Sequence, residues 1–133
     1  MSERQFDLGT AELEVLKALW DHGPATVRQV MNHLHAQERR VAYTTVLTFL
    51  TRLEQKGFVA ADKSDLAYVY RATVSRTAVS RSRLRSLVEQ MYDGAVGSLV
   101  LHLVQSERLT REELDELRQL IDRLEHRNPR SRS

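Results

Sequence analysis

The stretch YTTVLTFLTRLEQKGF, Tyr43–Phe58, decides how the chain is to be read. Five of the eight residues in TTVLTFLT are β-branched. Branching at Cβ restricts χ1 against the preceding turn of a helix, so propensity alone favours a strand. Periodicity says otherwise. Val46, Phe49, Leu50 and Leu53 recur at i, i+3, i+4 and i+7, whereas alternation fails because Val46 and Leu47 are adjacent, as are Phe49 and Leu50. The spacing predicts a helix whose packing overrides its propensity. At about 100° per residue, Thr44, Thr48, Thr51 and Gln55 share an arc opposite the apolar stripe, flanked by Arg52 and Thr45. Lys56-Gly57 ends the segment, with glycine placed for a left-handed C-terminal cap.

Upstream, Thr10 announces a first helix with Glu12 and Glu14 near its positive end and an apolar stripe of Leu13, Leu16, Ala18, Leu19 and Trp20. His22-Gly23-Pro24 ends it. Thr26-Val27-Arg28-Gln29 fits a capping box, after which Val27, Val30, Met31 and Leu34 repeat at helical spacing to about Gln37. Downstream, residues 58–63 and 67–72 read as two strands joined by a turn at Ser64-Asp65. Three helices followed by a hairpin is the winged helix-turn-helix order, and Trp20, Tyr68 and Tyr70 read as core or hairpin packing.

From Thr77 the pattern is helical again, with Leu84, Leu87, Val88 and Met91 at i, i+3, i+4 and i+7. AVGSLVLHLV, residues 95–104, is apolar almost all round, and a short helix of that kind must be covered on more than one side. A last helix opens with the box Thr110-Arg111-Glu112-Glu113 and repeats Leu114, Leu117, Leu120, Ile121 and Leu124. These helices are too few and too apolar to satisfy a core alone, so pairing with a second copy is the expected solution. The tail HRNPRSRS from His126 reads as a disordered basic segment.

Composition narrows the function classes. A chain of 133 residues with 41% apolar and 29% charged content is that of a soluble globular protein of one domain or two small ones. No apolar run reaches the ~18 residues of a membrane span and MSERQFDLGTAELE lacks a signal-peptide pattern, so a cytoplasmic protein without membrane insertion is expected. The absence of cysteine excludes disulfides and thiolate metal sites. Residues 1–74 hold 9 Lys and Arg against 9 Asp and Glu, and residues 75–133 hold 11 against 9, so any nucleic-acid role rests on local arrangement rather than bulk charge. His33 and His35 lie two apart on a helix and face different ways, His22 sits at a turn, and no HExxH pattern, nucleophile motif or glycine-rich phosphate loop occurs. Neither an enzyme nor a metal or cofactor site is expected.

TAELEVLKALW, VAYTTVLTFLTRLEQKGFV, YVYRATV and YDGAVGSLVLHLV, taken together, resemble the BlaI/MecI/CopY family of bacterial winged-helix repressors, which includes the penicillinase repressors. The resemblance spans roughly residues 7–124, with four separated segments in the family's order. It implies a homodimer that binds an inverted-repeat operator in double-stranded DNA through residues 1–74 and dimerises through helices in 75–125, leaving 126–133 as the tail. In the penicillinase repressors a membrane sensor metalloprotease pathway leads to cleavage within the last segment. That bond maps onto His102-Leu103, where those repressors have Asn and Phe. The copper-sensing branch carries cysteine pairs, which this chain lacks.

The major groove admits a helix only if the side chains facing the bases let the backbone approach; threonine does so while offering a hydroxyl and a methyl. Recognition helices use their N-terminal residues on base edges, which assigns Thr44, Thr45 and Thr48 to the bases and Tyr43 to the groove edge. Arg52, Gln55 and Lys56 are expected near phosphates, as are Thr26 and Arg28 at the capped start of the second helix and Lys63 on the wing. The expected dimer interface takes in Leu84, Leu87, Val88, Met91, Val96, Leu99, Val100, Leu103, Leu117, Leu120 and Ile121. Arg76, Arg81, Arg83 and Arg85 read as the solvated side of a dimer helix. The rival reading of the whole chain is a winged-helix protein-interaction module without specific DNA binding.

Overall fold

The computed structural model describes residues 8–127. Its elements run α1 (Thr10–His22), β1 (Ala25–Thr26), α2 (Val27–Ala36), α3 (Tyr43–Gln55), β2 (Val59–Asp62), β3 (Val69–Ala72), α4 (Arg76–Met91), α5 (Val96–Ser106) and α6 (Arg111–Arg127). The expected class holds: mainly α, with a small antiparallel sheet behind a helix-turn-helix. The described residues up to Ser86 form one compact unit and those from Leu87 another, so the division falls within α4.

In the first unit the periodic stripes converge. Val15, Leu16 and Leu19 of α1, Val27, Val30 and Leu34 of α2, and Val46, Leu50 and Leu53 of α3 are buried together with Phe58, Val59, Tyr70 and Val79. Phe49, expected in the same stripe, is half-buried at its edge. The α2 box forms as expected, Gln29 N–H donating to Thr26 Oγ1 at 3.2 Å and Thr26 N–H to Gln29 Oε1 at 2.9 Å. The α1 cap is one residue earlier than the sequence suggested. Gly9 is the N-cap, and since glycine has no side chain only the return half exists, Gly9 N–H donating to Glu12 Oε1 at 3.2 Å.

Two turns set the angle at which α3 leaves α2 and meets the wing. At the first, Arg39 N–H reaches back to Leu34 O and Glu38 N–H to His35 O, both 2.9 Å, with Glu38 at φ +63°, so a non-glycine residue takes the left-handed position. His35 Nε2 donates to Val41 O at 2.8 Å and closes the same turn. At the second, Gly57 takes φ +83°, Phe58 N–H bonds Leu53 O at 2.9 Å and Gly57 N–H bonds Glu54 O at 3.0 Å, the Schellman arrangement expected of Lys56-Gly57. Thr73 then ties the far strand to this helix end, its hydroxyl donating to Gly57 O and its amide to Phe58 O.

The strand β1 was not read from the sequence. Ala25 and Thr26 pair with Tyr70 and Val69, making a three-stranded sheet of order β1-β3-β2. The hairpin is shorter than expected, Val59–Asp62 against Val69–Ala72, because Phe58 belongs to the turn that ends α3 and residues 63–68 form a longer tip.

Among the described residues of the second unit, only Val88 and Leu99 are buried hydrophobics. The last helix runs two residues beyond the expected start of the tail. His126 and Arg127 belong to α6, where the Arg127 charge suits the negative helix end and His126 Nδ1 donates to Asp122 O at 2.9 Å. The rest of the tail lies outside the described residues. Leu50 is fully inaccessible. Leu50→Ala should therefore cost about 2–5 kcal/mol of unfolding free energy by urea titration, against about 0.5 kcal/mol or less for Thr51→Ala on the exposed face.

Candidate nucleic-acid interface

With Val46, Leu50 and Leu53 inaccessible, the opposite side of α3 faces solvent along its length. Thr44, Thr48, Thr51 and Gln55 are all exposed there with Arg52 beside them, while Thr45 is half-buried at the edge nearer the core. Thr48 Oγ1 donates to Thr44 O at 2.9 Å, so its lone pairs and methyl are what it presents outward. Leu47, 38% exposed, adjoins this face and was passed over by the sequence reading. The signal was its adjacency to Val46, which the stripe could not hold as well. An exposed leucine there adds apolar surface of the kind that meets a thymine methyl.

The start of α3 lacks a cap of its own. Ala42 is its N-cap, with no side-chain bond and no acid in the first turn, whereas α2 and α6 carry complete boxes from Thr26 and Thr110. Its first amides are left to an outside acceptor. Arg28 of α2 lies over the Tyr43 ring, its guanidinium carbon 5.4 Å from the centroid, so two residues predicted separately are one stacked pair. Arg52 lies similarly 5.9 Å from the Phe49 centroid.

Two expected phosphate partners are engaged inside the chain. Lys56 Nζ is 2.8 Å from Glu12 Oε1, and Glu12 is buried. That pair joins the start of α1 to the end of α3, so Lys56 is a brace between helices before it is anything else. Lys63 Nζ is 3.4 Å from Glu54 Oε2 and 5.6 Å from the Tyr68 ring, which draws the wing toward α3. The tip also carries Asp62, whose carboxylate accepts from Ser64 N–H at 3.0 Å. Bonds from Ser64's side chain and amide hold Asp62 below its ordinary carboxylate range. Arg39 is paired with Glu14 and Arg76 with Asp21, Arg76 also lying over the Trp20 ring.

Among the described residues, no group of three or more His, Asp or Glu is placed to hold a metal ion. His22, the final residue of α1, stacks on His33 with centroids 3.7 Å apart and planes 8° from parallel. Imidazole lone pairs lie in the ring plane, so rings stacked face to face cannot share one ion. Burial, then the charge of His22, pushes His33 below its usual value. His102, assigned to the apolar segment, is exposed on α5, and its Nδ1 shares a hydrogen bond with the Tyr92 hydroxyl at 2.6 Å.

The family model for the penicillinase repressor matches residues 8–123. The chain belongs to the penicillinase repressor family. It is 36% identical over 120 residues to the transcriptional regulator BlaI of Mycobacterium tuberculosis, covering 89% of this chain and 85% of that one. It is 29% identical over 121 residues to the penicillinase repressor of Bacillus licheniformis, covering 91% and 92%. Among solved structures, the DNA-binding domain of the repressor BlaI matches 56% of this chain and 90% of that domain at 27% identity and a TM-score of 0.49. A mutant of MarR from E. coli matches 89% of this chain and 78% of its own at 21% identity and a TM-score of 0.50, a likeness of fold. Members of the family are transcriptional repressors, not enzymes. No helix among the described residues is long and apolar enough to cross a membrane.

The Glu12 brace has a pH signature. Burial alone would raise the Glu12 pKa, but bonds from Lys56 and the Gly9 amide and the charges of Lys56 and Arg52 outweigh it and hold it below the ordinary 4.5. A depressed carboxylate stabilises the folded state fully above its unfolded value and loses that contribution as pH falls through the folded one. Urea titrations across pH should show wild type more stable than Glu12→Gln above pH 4.5, with the gap closing at lower pH. A gap that stays constant as pH falls well below that value would show that the charge of Glu12 contributes nothing.

Proposed function

We propose that the chain is a sequence-specific repressor that acts as a homodimer on an inverted-repeat operator. The observation that carries it is the exposed threonine face of α3, backed by the buried Val46, Leu50 and Leu53, in a member of the penicillinase repressor family. Thr44 and Thr48 read base edges, with Thr45 and Leu47 at the margins of the face and Tyr43, held by Arg28, at the groove edge. Arg52 and Gln55 meet phosphates alongside, and Thr26 and Arg28 supply the start of α2. Lys56 and Lys63 position α3 and the wing through Glu12 and Glu54.

Residues 1–74 make the DNA-binding part and 75–125 the dimerisation part. In the single chain Leu84, Leu87, Met91, Val96, Val100, Leu103, Leu120 and Ile121 are each at least 40% exposed, as are Leu101, Val104 and Leu124, which the sequence reading left out. A surface of that kind needs cover, and a second copy supplies it. Val88 and Leu99 are already buried in their own chain and serve as the support beneath that surface. A release step like that of the penicillinase repressors falls at His102-Leu103 in α5, in the cytoplasm; a chain that stays intact during induction excludes it.

Gel shifts with duplexes from the chain's own or a neighbouring promoter test this. Wild type should prefer one duplex over random sequence with a Kd near ~10 nM or tighter at physiological salt. The double variant Thr44→Ala, Thr48→Ala should lose that preference and keep residual non-specific binding. Equal binding of wild type to all duplexes supports the protein-interaction reading instead.

Salt titration separates the cations. Arg52→Ala should weaken binding to every sequence and reduce the slope of log K against log salt by about one, whereas Lys56→Gln should leave the slope unchanged while lowering thermal stability.

A further inference from the structure

The two long helices of the C-terminal region carry opposite charge beside their apolar stripes. Between Arg76 and Met91, α4 has four arginines and a single acid, Glu89. Between Arg111 and Arg127, α6 has six acids, Glu112, Glu113, Asp115, Glu116, Asp122 and Glu125, against four arginines, and four of those acids fall within its first six residues. On α4 the exposed Leu84, Leu87 and Met91 share one face, and at about 100° per residue Arg81 and Arg83 lie roughly 80° to either side of it. On α6, Glu116 borders the stripe on one flank with Glu112 beyond it and Glu113 at the stripe's own edge, while Arg118 on the other flank is paired with Asp115. α6 buries no residue, though it is 17 residues long and amphipathic.

The geometry points to a specific pairing in the dimer: the arginine-edged face of α4 in one copy receives the acid-edged stripe of α6 from the other. This rests on the homodimer of the preceding section and adds which faces meet. Each copy gives one α4 and one α6, so the twofold axis repeats the contact twice with the same sign. Arg76 is already paired with Asp21, Asp115 with Arg118 and Glu113 with the Thr110 amide, which leaves Arg81 and Arg83 facing Glu112 and Glu116 as the charges that set the match. Opposite charges across an interface fix register and partner choice more than they add affinity. The pairing therefore acts as a fidelity device that favours this chain over a paralogue with other charges at those positions.

Reciprocal charge reversal tests it. The first full-length variant carries Arg81→Glu and Arg83→Glu. The second carries Glu112→Lys and Glu116→Lys, leaving Glu113 to cap Thr110. Sedimentation of wild type fixes the reference: a monomer at all concentrations overturns the homodimer itself. With wild type dimeric, each variant alone should dimerise at least ~10-fold more weakly. An equimolar mixture should form the heterodimer at near wild-type strength, since the α4–α6 contacts then regain opposite charges in one of the two repeats and meet reversed charges of opposite sign in the other. Rescue by mixing also shows that both variants fold. Variants that dimerise like wild type overturn the pairing. So does restoration only when all four substitutions share one chain, which places the contact within a single copy.

Discussion

Val46, Leu50 and Leu53 have no accessible surface, and their burial against α1 and α2 fixes the rotation of α3 about its own axis. A helix rotated by one residue would turn its buried set by about 100° and bring threonine hydroxyls into the core without partners. The low helix propensity of the threonines is consequently tolerable, because tertiary contacts rather than local preference hold the segment helical. That arrangement also explains why the outer face can consist of short β-branched side chains. Nothing about the helix depends on them, so they are free to suit whatever approaches.

The ends of α3 are fixed by different means, and the contrast bears on where charge is available. At its C-terminus the Schellman turn at Gly57, the Glu12–Lys56 pair and the Thr73 bonds all converge. At its N-terminus there is no side-chain cap. Among the paired cations of the first unit, Lys56, Lys63, Arg39 and Arg76 each meet an acid. Arg28 and Arg52 instead rest on aromatic rings, an arrangement that orients a guanidinium without neutralising it. In a segment with as many acids as bases, this division decides which cations can meet a phosphate.

Much of this was legible in the sequence because it depends on local periodicity or on short-range chemistry. The α3 stripe, the Thr26 and Thr110 boxes and the left-handed Gly57 all use residues close together in the chain, and each appears as expected. What escaped depends on partners far along the chain or on local choices that composition does not mark. The strand β1 is two residues long and exists only because Tyr70 and Val69 lie beside it. Lys56 looked like a surface cation until the fold brought it to Glu12, 44 residues away. Glu38 occupies a left-handed position where glycine or asparagine would have announced the turn. Gly9 caps α1 without a side chain, so the more suggestive Thr10 stood in its place. The half-burial of Thr45, by contrast, follows from its place on the flank of the arc, about 90° from the centre of the buried stripe, which sets it apart from Thr44 and Thr48.

The modest basic character of the chain makes the proposed dimer a requirement for tight binding. Residues 1–74 carry no net charge by the count of Lys and Arg against Asp and Glu, so one copy draws little from bulk attraction to DNA and, on the proposed reading, would rely on a short face of threonines beside Arg28 and Arg52. In the proposed dimer a second α3 would meet its half-site at an effective concentration on the order of millimolar, which would raise overall affinity by roughly 10²–10⁴ without any new contact. Affinity would thereby become a property of the C-terminal helices as much as of α3. In the proposed dimer, weakening the helix pairing would lower affinity for DNA with the α3 face untouched, which would make an apolar region far from that face in sequence a sensible place for an inducing signal to act.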